Sequence, residues 1–257
     1  MKELCEGCEC EKIEQMIRHT VWSSGRNKII IGLSGGIDSA LAAVLCTRAV
    51  GAENVLGYML PSAVTPKEDI DDVKALCEKF GIRLAIVPIT GLIGEFSKIE
   101  GFTEDNYLLG NVMARLRMTI LYYYANQNQG LVCGTSNKSE YLLGYSTKHG
   151  DDAGDIEPLM HLYKTEVRIL SAFTGVIQPI IDKTPSAGLY SGQSDEKEIG
   201  FTYAVIDEAL RNLEANNWKP QNDTESAILE KVKKAAHKRN APPNLLKDGG
   251  MNGGCRI

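Results

Sequence analysis

Residues Ser34-Gly35-Gly36-Ile37-Asp38-Ser39 put two glycines, two hydroxyls and a carboxylate within six positions, directly behind the apolar run Lys28-Ile29-Ile30-Ile31-Gly32-Leu33. Glycines allow close backbone approach, and a helix starting behind them offers amide donors and the positive end of its dipole to a phosphate. A loop of the GxxxxGK[ST] kind is excluded, because Ile37, Asp38 and Ser39 stand where its lysine belongs. A carboxylate beside phosphates repels them unless a divalent cation stands between. Asp38 therefore reads as a magnesium ligand, with Ser34 and Ser39 offering hydroxyls to the same oxygens. An acid in the first turn of a helix also suits the dipole with no ligand at all, so both readings of Asp38 stand at this level.

The elements that must position this loop follow from periodicity. Strand-like runs cover 28 to 33, 54 to 60, 82 to 87 and 130 to 133, and helical periodicity covers 37 to 50, 66 to 80 and 105 to 126. Strands alternating with helices predict an α/β fold with a doubly wound, mostly parallel sheet flanked by helices on both faces. Ligands of such sheets bind at the carboxyl ends of the strands, which is where both the Ser34 loop and Gly134-Thr135 fall. A helix over about 10 to 23 precedes the sheet, and helical patterns return at 163 to 173, 202 to 214 and 223 to 239. No repeat or linker divides the chain, so residues 1 to 257 are expected to form one domain, with a cysteine-containing segment at 1 to 10. The stretch 183 to 198, rich in Ser, Gly and acids, has the length and irregularity of a lid.

The 257 residues are 43% hydrophobic with a net charge of −5, which argues for a well-packed globular chain and against a large polyanionic partner such as nucleic acid. No apolar run approaches the roughly 20 residues that span a bilayer, and the first residues lack a signal-peptide core, so a cytoplasmic location without membrane attachment is expected. Of the seven cysteines, Cys46, Cys77 and Cys133 fall in apolar patterns and read as core thiols. Cys5, Cys8 and Cys10 are spaced closely enough to ligate one metal, with Cys255 as a fourth thiolate if the chain ends meet. The alternative is a reduced, partly exposed terminal segment.

SGGIDS resembles the PP-loop signature of the N-type ATP pyrophosphatases, which split ATP between its α- and β-phosphates. The run 110 to 167, GNVMARLRMTILYYYANQNQGLVCGTSNKSEYLLGYSTKHGDDAGDIEPLMHLYKTEV, together with PSAGLYSGQSDEKEIG and HKRNAPP, resembles ammonia-dependent NAD synthetase within that superfamily. The resemblance implies that ATP adenylates the carboxylate of nicotinic acid adenine dinucleotide (deamido-NAD), releasing pyrophosphate, and that ammonia displaces AMP to give NAD. It implies an ATP site at Gly32, Leu33, Ser34, Gly35, Gly36, Ile37, Asp38, Ser39, Thr135, Lys164 and Ser186, and a dinucleotide site at Arg115, Lys148, Asp155, His237 and Lys238. It also implies Mg2+ held by Asp38 and Glu140, catalysis by Asp38, Glu140 and Lys164, and a homodimer. Two related readings share the ATP motifs: an enzyme amidating nicotinic acid mononucleotide, and a tRNA-thiolating enzyme, which the acidic charge disfavours.

Residue chemistry sets bounds beside that likeness. Arg115 and Arg117, two apart in a helical pattern, point about 200° apart and cannot serve one ligand equally, which leaves Arg117 as a structural or surface charge. Glu140 behind Ser136-Asn137-Lys138-Ser139 would on its own be a helix-capping or surface acid, and the basic run His237-Lys238-Arg239 a helix end. His19, His149, His161 and His237 have no metal-ligand spacing of the HExxH kind. Nothing suggests a covalent nucleophile, as suits chemistry done by positioning and electrostatics.

Overall fold

The computed structural model describes residues 4–190 and 192–243. In chain order its elements are α1 (Glu6–Ser23), β1 (Lys28–Gly32), α2 (Ile37–Val50), β2 (Val55–Met59), α3 (Lys67–Phe80), β3 (Arg83–Ile86), α4 (Thr90–Phe96), α5 (Asn106–Gln127) and β4 (Gly130–Cys133). The remaining helices are α6 (Lys138–Leu143), α7 (Lys164–Thr174), α8 (Gln178–Asp182), α9 (Asp195–Ile199), α10 (Tyr203–Ala215), α11 (Asp223–Lys234) and α12 (Ala236–Arg239). Expected and observed elements differ mainly at their ends and in the short helices α4, α6, α8 and α9, whose five to seven residues are too few to display a 3.6-residue period.

The four strands are all parallel in the order β3-β2-β1-β4. Every residue of β2 is buried and β1 is buried at its three isoleucines, the pattern of inner strands covered on both faces. Alternation along β1 sends Ile29 and Ile31 to a core shared with α1, α2 and α7, while Ile30 joins Leu56, Met113 and Val132 beneath α5. Helix α2 is apolar almost all round, and it is correspondingly enclosed, with Leu41 and Leu45 wholly buried. A third core of Leu143, Tyr163, Ile206, Leu210 and Ile228 joins α6 to α10 and α11.

The chain leaves β1 toward β2 and β3 on one side and returns from β3 through α5 to place β4 on the other, so the strand order reverses between β1 and β4. The crevice that this reversal opens at the strands' carboxyl ends is the usual ligand position in doubly wound sheets. Residues 33–36 leave β1 at that crevice, and Gly134 and Thr135 leave β4 beside them.

Candidate active site

The loop after β1 is braced by its own side chains. Leu33 N donates to Tyr58 O at 2.8 Å, extending the strand pairing by one bond. Ser39 Oγ accepts from Ser34 N at 3.3 Å and donates to Gly36 O at 3.0 Å, while Ser34 Oγ accepts from Gly36 N at 3.1 Å. Both hydroxyls, expected at phosphate oxygens, are thus also the struts that shape the turn. Gly35 has φ of +84°, and a Cβ there would lie 2.9 Å from Asp69 Cβ, so only glycine fits. Ile37 opens α2 and packs on the main core.

Across the crevice, three sequence-distant groups converge. Lys164 Nζ sits 2.5 Å from Asp38 Oδ2 and 2.8 Å from Glu140 Oε1, and Asn137 Nδ2 donates to Asp38 Oδ1 at 2.8 Å. Glu140 both caps a helix and faces the crevice lysine. Its Oε2 accepts from Asn137 N in a capping box that starts α6, and its Oε1 faces Lys164. Burial pushes the Glu140 carboxyl up to about 7, Asp38 adds to the rise, and Lys164 opposes it. Burial also works against the charge on Lys164, but the two carboxylates outweigh it and hold the ammonium above the ordinary lysine range. Lys164 is held from behind: its backbone N–H donates to Ser139 Oγ at 3.0 Å, and Asp207 accepts from Ser139 Oγ and from Thr165 N.

Residues expected at the dinucleotide form a second group. Arg115 donates to Lys148 O at 3.2 and 3.3 Å, Lys148 Nζ donates to His237 O at 2.6 Å, and Lys238 Nζ donates to Gly144 O and Ser146 O. A cavity of about 180 Å³ lies here, lined among others by Ser136, Ser146, Asp152, Met160 and Lys238. Arg117 turns the other way and donates to Leu60 O at 3.0 Å, the structural one of the two roles left open to it. Asp155 stands apart from the group: its Oδ2 accepts from Val132 N, and Tyr122 donates to its Oδ1. Thr135 is half-buried at the exit from β4. Ser186, in the expected lid, accepts from Gly188 N and lies outside the Asp38–Glu140–Lys164 network.

Several residues that matter here carried no signal in the sequence. Asn137, Ser139 and Asp207 are polar and fully or nearly fully buried, and only their partners reveal their purpose. Tyr203 donates from α10 to Asp195 Oδ2 at 3.2 Å and reaches Glu140 Oε1 at 3.5 Å, tying the far end of the 183–198 stretch to the acids. Glu157 has both carboxylate oxygens buried without a hydrogen-bond partner, against Gly134, where an added Cβ would collide with it. Burial pushes its carboxyl up to about 8, with Asp152 and Asp151 adding to the rise and a Ser136 backbone contact opposing it.

The cysteine expectation is corrected. Helix α1 begins at Glu6, not near 10, which puts Cys8 and Cys10 on different faces of one helix. Cys5 and Cys8 are exposed and joined as a disulfide, with Cα atoms 5.3 Å apart, whereas Cys10 is fully buried beside Ile13 and Ile17. With Cys5 and Cys8 paired and Cys10 a free thiol turned into the core, the three do not share a metal. Cys255 lies outside the described residues, and among those described no group of three His, Cys, Asp or Glu side chains could hold a metal ion. Cys46, Cys77 and Cys133 are core thiols, as expected.

The parallel order 3-2-1-4, the glycine turn after β1 and the acids facing it define an α/β protein of the PP-loop ATP pyrophosphatase superfamily. The family model of NAD synthase matches residues 9–242, and the chain belongs to that family. It is 52% identical over 240 residues to a Methanoregula boonei protein named NH(3)-dependent NAD(+) synthetase, covering 93% of this chain and 97% of that one. A protein of the same name from Methanocaldococcus jannaschii is 42% identical, covering 90% and 94%. Among solved structures, the NH3-dependent NAD synthetase of Campylobacter jejuni matches with a TM-score of 0.81 and 33% identity, covering 95% of this chain and 100% of that one. The NMN synthetase of Francisella tularensis matches with 0.87 and 34%, covering 95% and 99%.

Proposed function

We propose that this chain is an ammonia-dependent NAD synthetase, a ligase that uses ATP to turn the carboxylate of deamido-NAD into the amide of NAD. The observation that carries the reading is the convergence of Asp38, Glu140 and Lys164 across the β1–β4 crevice, facing a glycine turn with amide donors. A substrate carboxylate oxygen attacks the α-phosphorus of ATP, and the bond to the β-phosphate oxygen breaks to release pyrophosphate. Ammonia then adds to the acyl carbon, and the C–O bond to AMP breaks. In the first step the Gly35-Gly36 turn and the α2 amides receive the departing diphosphate, and Lys164, charged at neutral pH, balances negative charge developing on its oxygens.

The donor set suits Mg2+: two carboxylates converging on one point carry more negative charge than a single lysine offsets, and burial strains Glu140 toward its neutral form. Bound by Asp38 and Glu140, Mg2+ would neutralise the diphosphate as it leaves. Arg115, Lys148, His237 and Lys238 are the proposed dinucleotide contacts, with Asp155 at the β4 edge. Thr135, and Ser186 from the stretch above, are proposed on the ATP side. A homodimer is proposed because α4, the start of α5 and the link between them expose Leu92, Phe96, Ile99, Tyr107 and Leu108 together. A cytoplasmic location is proposed; among the described residues no helix is long and apolar enough to cross a membrane.

The experiment is mass detection of products from ATP, Mg2+ and ammonium with deamido-NAD or nicotinic acid mononucleotide. NAD, AMP and pyrophosphate from the dinucleotide are expected. The likeness to the Francisella NMN synthetase makes the mononucleotide the informative competitor, and a strong preference for it would reject the dinucleotide assignment. ADP with orthophosphate would reject the pyrophosphatase chemistry altogether.

A further inference from the structure

Lys183 follows α8 and opens the stretch 183–198. Its Nζ lies 2.8 Å from Asp69 Oδ1 and 2.6 Å from Asp72 Oδ2, both on α3, and donates to Gly35 O at 3.2 Å. One ammonium thus joins three pieces of chain: the turn after β1, the first turns of α3, and the entry to the expected lid. Burial disfavours its charge, but the two aspartates outweigh burial and raise its pKa, so Lys183 is a cation throughout neutral pH. Asp69 also walls the turn on this side, lying where a Gly35 Cβ would be.

The geometry has a consequence for the turn's donors. In a planar trans peptide the carbonyl and the following N–H point in opposite directions, and no described peptide here is cis. Holding Gly35 O on the α3 side directs the Gly36 N–H to the opposite side, where it donates to Ser34 Oγ at 3.1 Å. A flexible glycine peptide would otherwise be free to flip and present a carbonyl to an anion.

We infer that Lys183 is a positioning residue that locks the Gly35–Gly36 peptide with its amide facing the phosphate side, and that it links this lock to the entry of the 183–198 stretch. The inference rests on the reading that this turn grips the diphosphate of ATP. It is tested on the full chain by calorimetric titration with magnesium pyrophosphate and by steady-state kinetics of the wild type, Lys183→Met, Lys183→Gln and Lys183→Arg. The expected result for Lys183→Met is a loss of pyrophosphate affinity and a rise in the KM for ATP of about tenfold or more, the scale of a lost charge-assisted hydrogen bond. The KM for the dinucleotide is expected within about threefold of wild type, and Lys183→Arg restores ATP binding by keeping the cation and its donors. Wild-type affinity in Lys183→Met overturns the inference, as does an equal rise of both KM values with no rescue by arginine, the mark of a merely structural residue. If Lys183→Met does not fold, Lys183→Gln, which keeps a donor without the charge, decides by the same criteria. Failure of the wild type itself to bind pyrophosphate overturns the reading of the turn, and the inference with it.

Discussion

In the triplet Asp38, Lys164 and Glu140 a buried cation stands between two half-buried anions, and removing the cation costs more than removing either anion. Glu140→Gln replaces a carboxyl already pushed to about 7 by burial, so the fold loses little, while pyrophosphate release is expected to fall at least about a hundredfold, the range seen on deleting one electrostatic group. Asp38→Asn should behave alike, and thermal unfolding beside a pyrophosphate assay checks both. Lys164→Met leaves two half-buried carboxylates without their cation and is expected to lower stability by about 1–3 kcal/mol as well as abolish turnover. Glu157 makes a separate prediction about pH. Its folded pKa, about 8, is above the unfolded carboxyl value, so the native state binds the extra proton. Stability is then lost as pH rises from the unfolded pKa toward 8, and not as it falls. Glu157→Gln, which mimics the protonated acid, should unfold at a higher temperature than wild type at pH 8, with the gap shrinking by roughly 3 °C or more at pH 5.

At the scale of elements, helices α6 and α7 aim the chemistry. The capping box of α6 fixes Glu140, and the buried Ser139–Asp207 pair satisfies the first amides of α7 and so fixes Lys164. Asp207→Ala should fray the start of α7, costing about 1–2 kcal/mol in denaturant unfolding and raising the KM for ATP, although Asp207 touches neither carboxylate. Unchanged kinetics with lowered stability would mean that α7 does not need this cap to present Lys164. Helix α1 is held along its length by Cys10, Ile13, Ile17 and Val21 in the core, while the Cys5–Cys8 disulfide lies exposed at its start. Cys5→Ser should therefore leave turnover almost unchanged in a standard assay, and a large loss would assign the terminal thiols a role that their position does not suggest.

Over the whole molecule, the crevice and the exposed apolar surface have different duties. Cations and acids collect where β1 and β4 part, whereas Leu92, Phe96, Ile99, Tyr107 and Leu108 gather at α4, the start of α5 and the link between them. If that surface joins two copies, light scattering should give twice the chain's mass, and Leu108→Glu should shift the population toward single chains by placing a charge in the contact. A monomeric wild type at micromolar concentration would remove the dimer from the proposal.

Local order left clear marks in the sequence. The isoleucines of β1, the periodicity of α2, α3 and α5, and the opposed directions of Arg115 and Arg117 all follow from side-chain repeats of two or 3.6 residues, which neighbours along the chain impose. The glycine turn with Asp38 was legible for the same reason, since all its parts lie within six residues. The other members were named through likeness of motif, and short-range physics gave no account of why Lys164 should meet Asp38 from 126 positions away. That meeting depends on which strand lies beside β1, a long-range choice made by burial of the two sheet faces. Tertiary packing alone decided the roles of Asn137, Ser139, Lys183, Tyr203 and Asp207, because a polar residue in a sequence looks the same whether it faces water or a buried partner. The same blindness made Cys5, Cys8 and Cys10 look like one cluster, until a helix beginning at Glu6 turned the last of them into the core.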